Sequence, residues 1–152
     1  MVHHYRKINR LQNFDYSSNG AYFITICSKN RLNIFSEISY DGSVSLSKIG
    51  YIIDKELSDI TPIYKNVFID KYVIMPNHIH LILRLDNTID EDTPKISRII
   101  QQFKGTVTKQ SGAPVWEKGF YDHIIRNQSD FDTKWNYIDM NPLKWSDDEF
   151  YI

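Results

Sequence analysis

The sequence is poor in cysteine, in long apolar runs and in net charge. Cys27 is the only cysteine among 152 residues, so no intramolecular disulfide can form. The opening segment, MVHHYRKINRLQN, is polar and basic and lacks the apolar stretch of a secretory signal, so the single cysteine indicates a reducing cytoplasm. No apolar run reaches the roughly 20 residues of a membrane-spanning helix. We therefore expect a cytoplasmic protein with no membrane partner.

The net charge is only −1, but the charges are unevenly distributed along the chain. Residues 1–31 and 95–126 are basic, whereas residues 32–94 and 127–152 are acidic. Two basic blocks could meet in space and bind a phosphate backbone, although ordinary solvated faces give the same pattern. Because the chain has no repeat, low-complexity tract or obvious linker, we predict a single domain over residues 1–152.

Hydrophobic periodicity predicts seven elements in the order β-α-β-β-α-β-α. The predicted strands are 21–28, 66–75, 78–85 and 120–127, and the predicted helices are 47–60, 93–110 and 129–141. Pro62 is expected to end the first helix. Thr93 is the predicted N-cap of the second helix, with Pro94 at its first position, and Ser129 is the predicted N-cap of the third.

This order of elements is that of an α+β, ferredoxin-like split βαβ fold. It predicts an antiparallel sheet with helices on one face, while the other face stays partly open. The last helix is extra to this core and is free to carry chemistry.

The segment MPNHIHLIL, residues 75–83, places two histidines two positions apart on a predicted strand. Side chains alternate between the faces of a strand, so Ile79 and Leu81 point to the core and His78 and His80 to the opposite, exposed side. Two imidazoles on one face are close enough to bind one ion, although two partly exposed histidines without a metal would give the same pattern. A third ligand must come from elsewhere, because two histidines hold an ion poorly.

The last predicted helix offers such a ligand. Its apolar stripe consists of Phe131, Trp135 and Ile138. Tyr137 and Asn141 share a face about 100° away from the stripe, so Tyr137 is not needed to fill the core. The Asn141 amide oxygen could bind a hard cation. Alternatively, Tyr137 packs on the sheet and Asn141 is only the end of the helix, because Pro142 disfavours helical geometry at the residue before it.

Three segments, MPNHIHLIL, APVWEKGFYDHIIRN and YIDMNPLKW, resemble in order and spacing the REP-associated branch of the single-tyrosine HUH transposases. By this resemblance, His78 and His80 are the metal-binding pair, Tyr137 is the nucleophile and Asn141 is the third ligand. The family has a ferredoxin-like fold, in agreement with the order of elements. It cuts and rejoins single-stranded DNA, often beside a short imperfect hairpin.

The resemblance implies an enzyme that uses Mg²⁺ or Mn²⁺ to polarise the scissile phosphate. Tyr137 would attack phosphorus, keep the 5′ phosphate as a phosphotyrosine and release a 3′ hydroxyl. The expected partner is single-stranded or hairpin DNA, and the sequence leaves a homodimer open. Candidate contacts to the DNA backbone are Lys95, Arg98, Lys104, Lys118 and Arg126.

Alternatives remain for both residues and function. Tyr121 is a competing nucleophile, although its place in a strand beside His123 indicates packing. Trp116 and Phe120 could stack on bases or fill the core. The chain could also be a domesticated nucleic-acid-binding protein that no longer cuts DNA, or a metal-binding domain with a small-molecule role. The histidine pair, Tyr137 and Asn141 favour a working nuclease over the first of these, and no small-molecule fingerprint supports the second.

Overall fold

A computed structural model of the chain describes residues 20–86 and 95–152. The strands are β1 (Gly20–Cys27), β2 (Ser36–Ile38), β3 (Val44–Leu46), β4 (Val67–Ile74), β5 (His78–Leu85) and β6 (Tyr121–Ile125), and the helices are α1 (Lys48–Ile63), α2 (Ile96–Ser111) and α3 (Gln128–Met140). A 3₁₀ turn, Trp145–Asp147, follows α3. The predicted α+β, ferredoxin-like fold is thus confirmed, and the small hairpin of β2 and β3 is an addition that the periodicity did not predict.

Four strands form one antiparallel sheet in the order β4-β5-β1-β6. The two central strands, β5 and β1, are paired so that Thr25 lies opposite His80 and Cys27 lies opposite His78. Both histidines therefore lie in the middle of the sheet, with a hydrogen-bonded neighbour strand on each side, and their backbone is held on both flanks.

The two faces of the sheet are covered by different helices. Helices α1 and α2 pack on one face, where they form the main core with Ile24, Ile26, Leu81 and Leu83. Helix α3 covers part of the other face. The smaller apolar cluster on that side consists of Ala21, Ile82, Ile125, Phe131, Trp135 and Ile138. Within the described ranges, no helix is both long and apolar enough to cross a membrane.

Three of the predicted helix ends need correction or cannot be compared. Helix α1 continues through Pro62 to Ile63, because the next residue, Tyr64, still donates its N–H to a carbonyl of the helix. Asn127, not Ser129, caps α3: its side-chain oxygen accepts from the Asp130 N–H at 2.8 Å. Helix α2 begins at Ile96, while Thr93 and Pro94, the predicted cap and first position, lie outside the described residues.

Candidate active site

His78 and His80 lie side by side on β5, on the sheet face that α3 partly covers, with their ring centroids 4.6 Å apart. The residues that alternate with them, Ile79 and Leu81, are buried in the main core. The structure thus places both histidines on the face that the alternation of the strand predicts.

The expectation that this face is open at the histidines is wrong. His78 is 0% and His80 is 2% exposed. The cover is the segment after α3: the Phe150 ring lies 4.5 Å from the His78 ring, and the Trp145 ring lies 6.1 Å from it. The Asn77 amide fixes this segment by donating a 2.7 Å hydrogen bond to the Phe150 carbonyl. The sheet face is therefore closed by residues distant in sequence.

Hydrogen bonds at Nδ1 orient both imidazole rings and leave Nε2 of each ring as the nitrogen that can bind a metal ion. His78 Nδ1 lies 2.8 Å from the side-chain oxygen of Asn77. An amide oxygen only accepts, so the proton of His78 is on Nδ1 and the lone pair is on Nε2. His80 Nδ1 lies 2.8 Å from Thr25 Oγ1, which can accept in the same way. Metal-binding histidines are usually oriented by such a hydrogen bond at the other ring nitrogen.

Both imidazoles are held in the neutral form. Burial lowers the pKa of His78 to about 3, and the positive charge of Arg31 acts in the same direction. Burial also lowers the pKa of His80 to about 3, with a further contribution from its neighbour His78. Since the neutral imidazole is the form that binds a metal ion, both rings are ready to act as ligands at pH 7.

The third predicted ligand, Asn141, is buried beside the histidines at the end of α3. Its backbone is helical, with φ −58° and ψ −46°, so Pro142 does not break the alignment of Asn141 with Tyr137. The Asn141 Nδ2 donates to the Asp148 carboxylate at 2.8 Å. Its Oδ1, like Nε2 of His78 and of His80, is buried and has no hydrogen-bond partner.

Three unpaired buried polar atoms in one cluster are unusual, because leaving each such atom unpaired costs roughly 1–3 kcal/mol. Two neutral imidazole nitrogens and one amide oxygen are together a donor set that suits Mn²⁺ and tolerates Mg²⁺. The residues present therefore fit a divalent ion.

A carboxylate also reaches this cluster. Asp148 Oδ2 lies 3.8 Å from His78 Nε2, and the side chain of Asp148 is fully buried. Potential ligand atoms of His78, His80 and Asp148 all lie within 4.8 Å of one another. Asp148 was not among the predicted ligands, because its position depends on how the chain turns after α3 and no local spacing connects it to the histidines.

Tyr137 lies next to the histidines and is accessible to a ligand. Its ring centroid is 5.3 Å from that of His80 and 5.9 Å from that of Phe23, and 41% of the residue is exposed. Burial of the remainder raises the pKa of its phenol, and the negative charges of Asp148 and Glu149 raise it further. The hydroxyl is therefore protonated at neutral pH.

Two open clefts flank Tyr137. The larger, of about 650 Å³, is lined by Phe23, Thr25, Arg31, His80, Tyr121, Thr133, Lys134, Tyr137, Glu149 and Phe150. The smaller, of about 420 Å³, lies on the side of Asn141, Lys144 and Asp148. A flexible chain can thus approach the tyrosine from both sides. The larger cleft contains two basic side chains, Arg31 and Lys134, which are paired with Glu117 and Asp130 at 3.1 and 3.7 Å.

The five basic residues predicted to contact DNA do not gather around Tyr137. Lys95 and Arg98 are exposed at the start of α2, which packs on the opposite face of the sheet. Lys104 donates to the carbonyls of Glu117 and Gly119 at 2.9 and 2.8 Å and so anchors a loop. The other two, Lys118 and Arg126, are exposed near the two ends of β6. The basic residues of the cleft, Arg31 and Lys134, were not among the predicted contacts.

The aromatic residues discussed as alternatives have different surroundings. Trp116 packs on Phe35 and Phe103, and Phe120 packs against the main core, so both fill the interior. Tyr121 does not: it is 56% exposed and lines the larger cleft with Tyr137. The interpretation of Tyr121 as a packing residue is therefore wrong, because β6 is an edge strand whose outer residues are mostly exposed.

Comparisons with known proteins point to one group. No family model matches the chain. The chain is 32% identical to an uncharacterized protein of Haemophilus influenzae, over 99% of its own length and 95% of that protein. It is 26% identical to the REP-associated tyrosine transposase of Escherichia coli, over 85% of its own length and 70% of that protein.

Among solved structures, the fold is similar to that of a REP-associated tyrosine transposase bound to a REP hairpin. The TM-score is 0.64 at 22% sequence identity, and the match covers 83% of this chain and 68% of the other. At this identity the likeness concerns the fold, and it agrees with the antiparallel sheet and three helices described above.

Proposed function

Because this chain belongs to the family of REP-associated tyrosine transposases, we propose that it cleaves and rejoins single-stranded DNA through a covalent bond to Tyr137. In this proposal a divalent ion is held by His78, His80 and Asn141. The DNA partner is a single strand or hairpin, as in the related transposase whose structure contains a REP hairpin.

One observation carries the proposal. The unpaired Nε2 atoms of His78 and His80 and the unpaired Oδ1 of Asn141 are buried together beside a partly exposed tyrosine. A protein interior rarely leaves three such atoms unsatisfied unless a ligand completes them. A metal site next to an accessible hydroxyl is what a metal-assisted nucleophilic attack requires.

The chemical step follows from the state of the groups. When bound, a divalent ion supplies positive charge that stabilises the developing charge on the scissile phosphate. Tyr137 is protonated in the resting site, since its pKa is raised. Its oxygen forms a bond to phosphorus as the bond to the 3′ oxygen breaks, and the proton of the phenol is released as the leaving 3′ oxygen gains one. The phosphotyrosine conserves the phosphodiester, so the reverse reaction rejoins a strand.

Other residues in the larger cleft would bind and position the strand. Arg31 and Lys134 can contact phosphates, and Lys134 lies 5.8 Å from the ring of Phe23, on which a base could stack. The five basic residues on the outside, Lys95, Arg98, Lys104, Lys118 and Arg126, are kept as candidate contacts to a longer hairpin. Each neutralised phosphate should change the slope of log affinity against log salt by about −0.7 for single strands.

An adduct assay tests the proposal. Labelled hairpin DNA with a single-stranded flank is incubated with Mn²⁺, Mg²⁺ or EDTA, and covalent adducts that resist SDS are measured by gel electrophoresis. We expect an adduct with either metal, more with Mn²⁺, none with EDTA, and none with plain duplex DNA.

Tyr137→Phe and Tyr121→Phe are the paired variants for this assay, because both tyrosines line the same cleft. We expect Tyr137→Phe to lose the adduct and to retain DNA binding, while Tyr121→Phe keeps the adduct. If only Tyr121→Phe loses the adduct, the strand tyrosine is the nucleophile. If the wild-type protein binds the hairpin but forms no adduct in any metal, the chain is a binding protein that no longer cuts.

A further inference from the structure

We propose that Asp148 supplies a fourth, anionic ligand to the ion held by His78, His80 and Asn141. This inference rests on the proposed metal site and adds to it a residue outside the histidine motif and the tyrosine helix. The segment that covers the histidines would then be a part of the metal centre and not only its lid.

The position of the carboxylate is the first argument. Asp148 Oδ2 lies 3.8 Å from His78 Nε2, a distance that one ion can bridge and that is too long for a hydrogen bond. Ligand atoms of His78, His80 and Asp148 lie within 4.8 Å of one another. These separations place all three side chains around one small space.

The charge of the cluster is the second argument. The Asp148 side chain is fully buried, and the groups that contact it, the Asn141 amide and the Phe150 N–H, are neutral donors. Burying a carboxylate without a cation is costly. Among the described residues, no lysine or arginine lies within ion-pair distance of Asp148, and Arg31 is already paired with Glu117 at 3.1 Å. A divalent ion is the positive charge that this arrangement lacks.

The segment that carries Asp148 is fixed in place, which is the third argument. Asp148 Oδ1 accepts from the Phe150 N–H at 2.8 Å, and the Phe150 carbonyl accepts from the Asn77 amide at 2.7 Å. The same Asn77 orients His78 through its side-chain oxygen. A single asparagine thus holds both His78 and the segment after α3 that carries Asp148, as expected when both serve one ion.

Asp148 also accepts from Asn141 Nδ2 and so turns Asn141 Oδ1 toward the histidines. A purely orienting role for Asp148 would need only this hydrogen bond. Four protein ligands leave about two of the six positions that Mn²⁺ and Mg²⁺ usually fill, which is enough for water or a phosphate oxygen.

The experiment is a calorimetric titration of the whole chain with Mn²⁺ alone, without DNA. The variants are Asp148→Asn, which keeps size and an acceptor oxygen, Asp148→Ala, and Asp147→Asn as the control, because Asp147 is the exposed acid next to it. We expect Asp148→Asn and Asp148→Ala to weaken Mn²⁺ binding by at least about ten-fold, and Asp147→Asn to bind as the wild type does. Thermal melting of each metal-free variant checks that it folds.

The outcomes separate this inference from the proposed function. If Asp148→Asn binds as tightly as the wild type while Asp148→Ala binds weakly, Asp148 only orients Asn141 and the inference is wrong. If both Asp148 variants bind as the wild type does and His80→Gln does not, the metal site stands without Asp148. If the wild-type protein binds no Mn²⁺ at millimolar concentration, the proposed metal site itself fails and Asp148 has no ion to hold.

Discussion

The two faces of the sheet are formed by alternate residues of the same strands, but they differ in whether their buried polar groups have hydrogen-bond partners. On the face covered by α1 and α2, buried side chains such as Leu81 and Leu83 are apolar, and the polar groups at its margin, such as Tyr72 and Asp54, are hydrogen-bonded to each other. On the other face, His78 and His80 are equally buried, yet each keeps one unpaired nitrogen. The degree of burial alone therefore does not separate the core from the candidate site. What distinguishes the site is a cluster of unpaired polar atoms, since the buried Oε1 of Gln128 is also unpaired but lies outside that cluster.

The largest effect should come from a substitution on the histidine face. His80→Gln removes one imidazole ligand, so we expect the metal-dependent adduct to be lost. We expect the free energy of unfolding to change by no more than about 1 kcal/mol, because an unsatisfied nitrogen is removed together with a hydrogen bond. Adduct yield on hairpin DNA and urea denaturation of the same preparation measure the two quantities. A variant that forms the adduct at the wild-type rate would show that His80 is not a ligand.

Leu81, the next residue on β5, lies on the opposite face, and its substitution should affect stability and not adduct formation. Leu81 is fully buried in the main core, and Leu81→Ala should lower the free energy of unfolding by about 2–5 kcal/mol. The remaining folded protein should still form the adduct. Leu32→Ala is the control, since Leu32 is exposed and its loss should change stability by less than about 0.5 kcal/mol. Equal stability of the two leucine variants would contradict the assignment of the core.

The pH dependence of stability should reveal the buried neutral histidines. Burial lowers the pKa of both to about 3. Between pH 6.5 and pH 3 the two imidazoles are therefore protonated in the unfolded chain but remain neutral in the folded chain. Their contribution to stability is complete above pH 6.5 and is lost as the pH falls. In EDTA, we expect the free energy of unfolding to fall by about 1–2 kcal/mol between pH 7.5 and pH 6.

The double variant His78→Gln, His80→Gln is the control for this measurement, because it keeps polar side chains that do not titrate. We expect its stability to change less over the same pH range. If the double variant and the wild type show the same pH dependence, other groups dominate and the histidines are not held neutral.

The smallest effect should come from the cap of α3, the helix that presents Tyr137. The Asn127 side chain accepts from the Asp130 N–H, and Asn127→Ala should lower stability by about 1 kcal/mol. Asn136→Ala is the control, since Asn136 is exposed within the same helix. Thermal melts compare the two. If Asn127→Ala is as stable as Asn136→Ala, the Asn127 side chain does not stabilise the helix as its N-cap, and Ser129, the predicted N-cap, becomes the better assignment.

Periodicity alone could predict much of the fold and part of the site. Alternation on a strand places His78 and His80 on one face, and the i, i+4 spacing places Tyr137 with Asn141, because both relations are local. The hairpin of β2 and β3 escaped because its strands have three residues each, although Asp41-Gly42 between them is a known turn signal.

The burial of the site could not be predicted in the same way. It depends on a segment that returns over the sheet after α3, and the hydrogen bond between Asn77 and Phe150 joins residues 73 positions apart. The sequence also could not decide whether Asn127 or Ser129 caps α3, because both residue types are good N-caps and the two lie only two positions apart. The roles of the predicted site residues, and the extent of the single domain, stay predictions.

Two hydrogen bonds of the site, one that orients the His80 imidazole and one that fixes the segment covering His78, also bear on the order of folding. The Thr25–His80 contact spans 55 positions, and the Asn77–Phe150 contact spans 73. Contacts of such long range form late. Closing a long loop costs conformational entropy, and this cost is offset only when most of the native contacts have formed. We therefore expect a chain caught partway through folding to have its helices and hairpins but no working metal site. An activity that cuts DNA would then appear only in molecules that have finished folding.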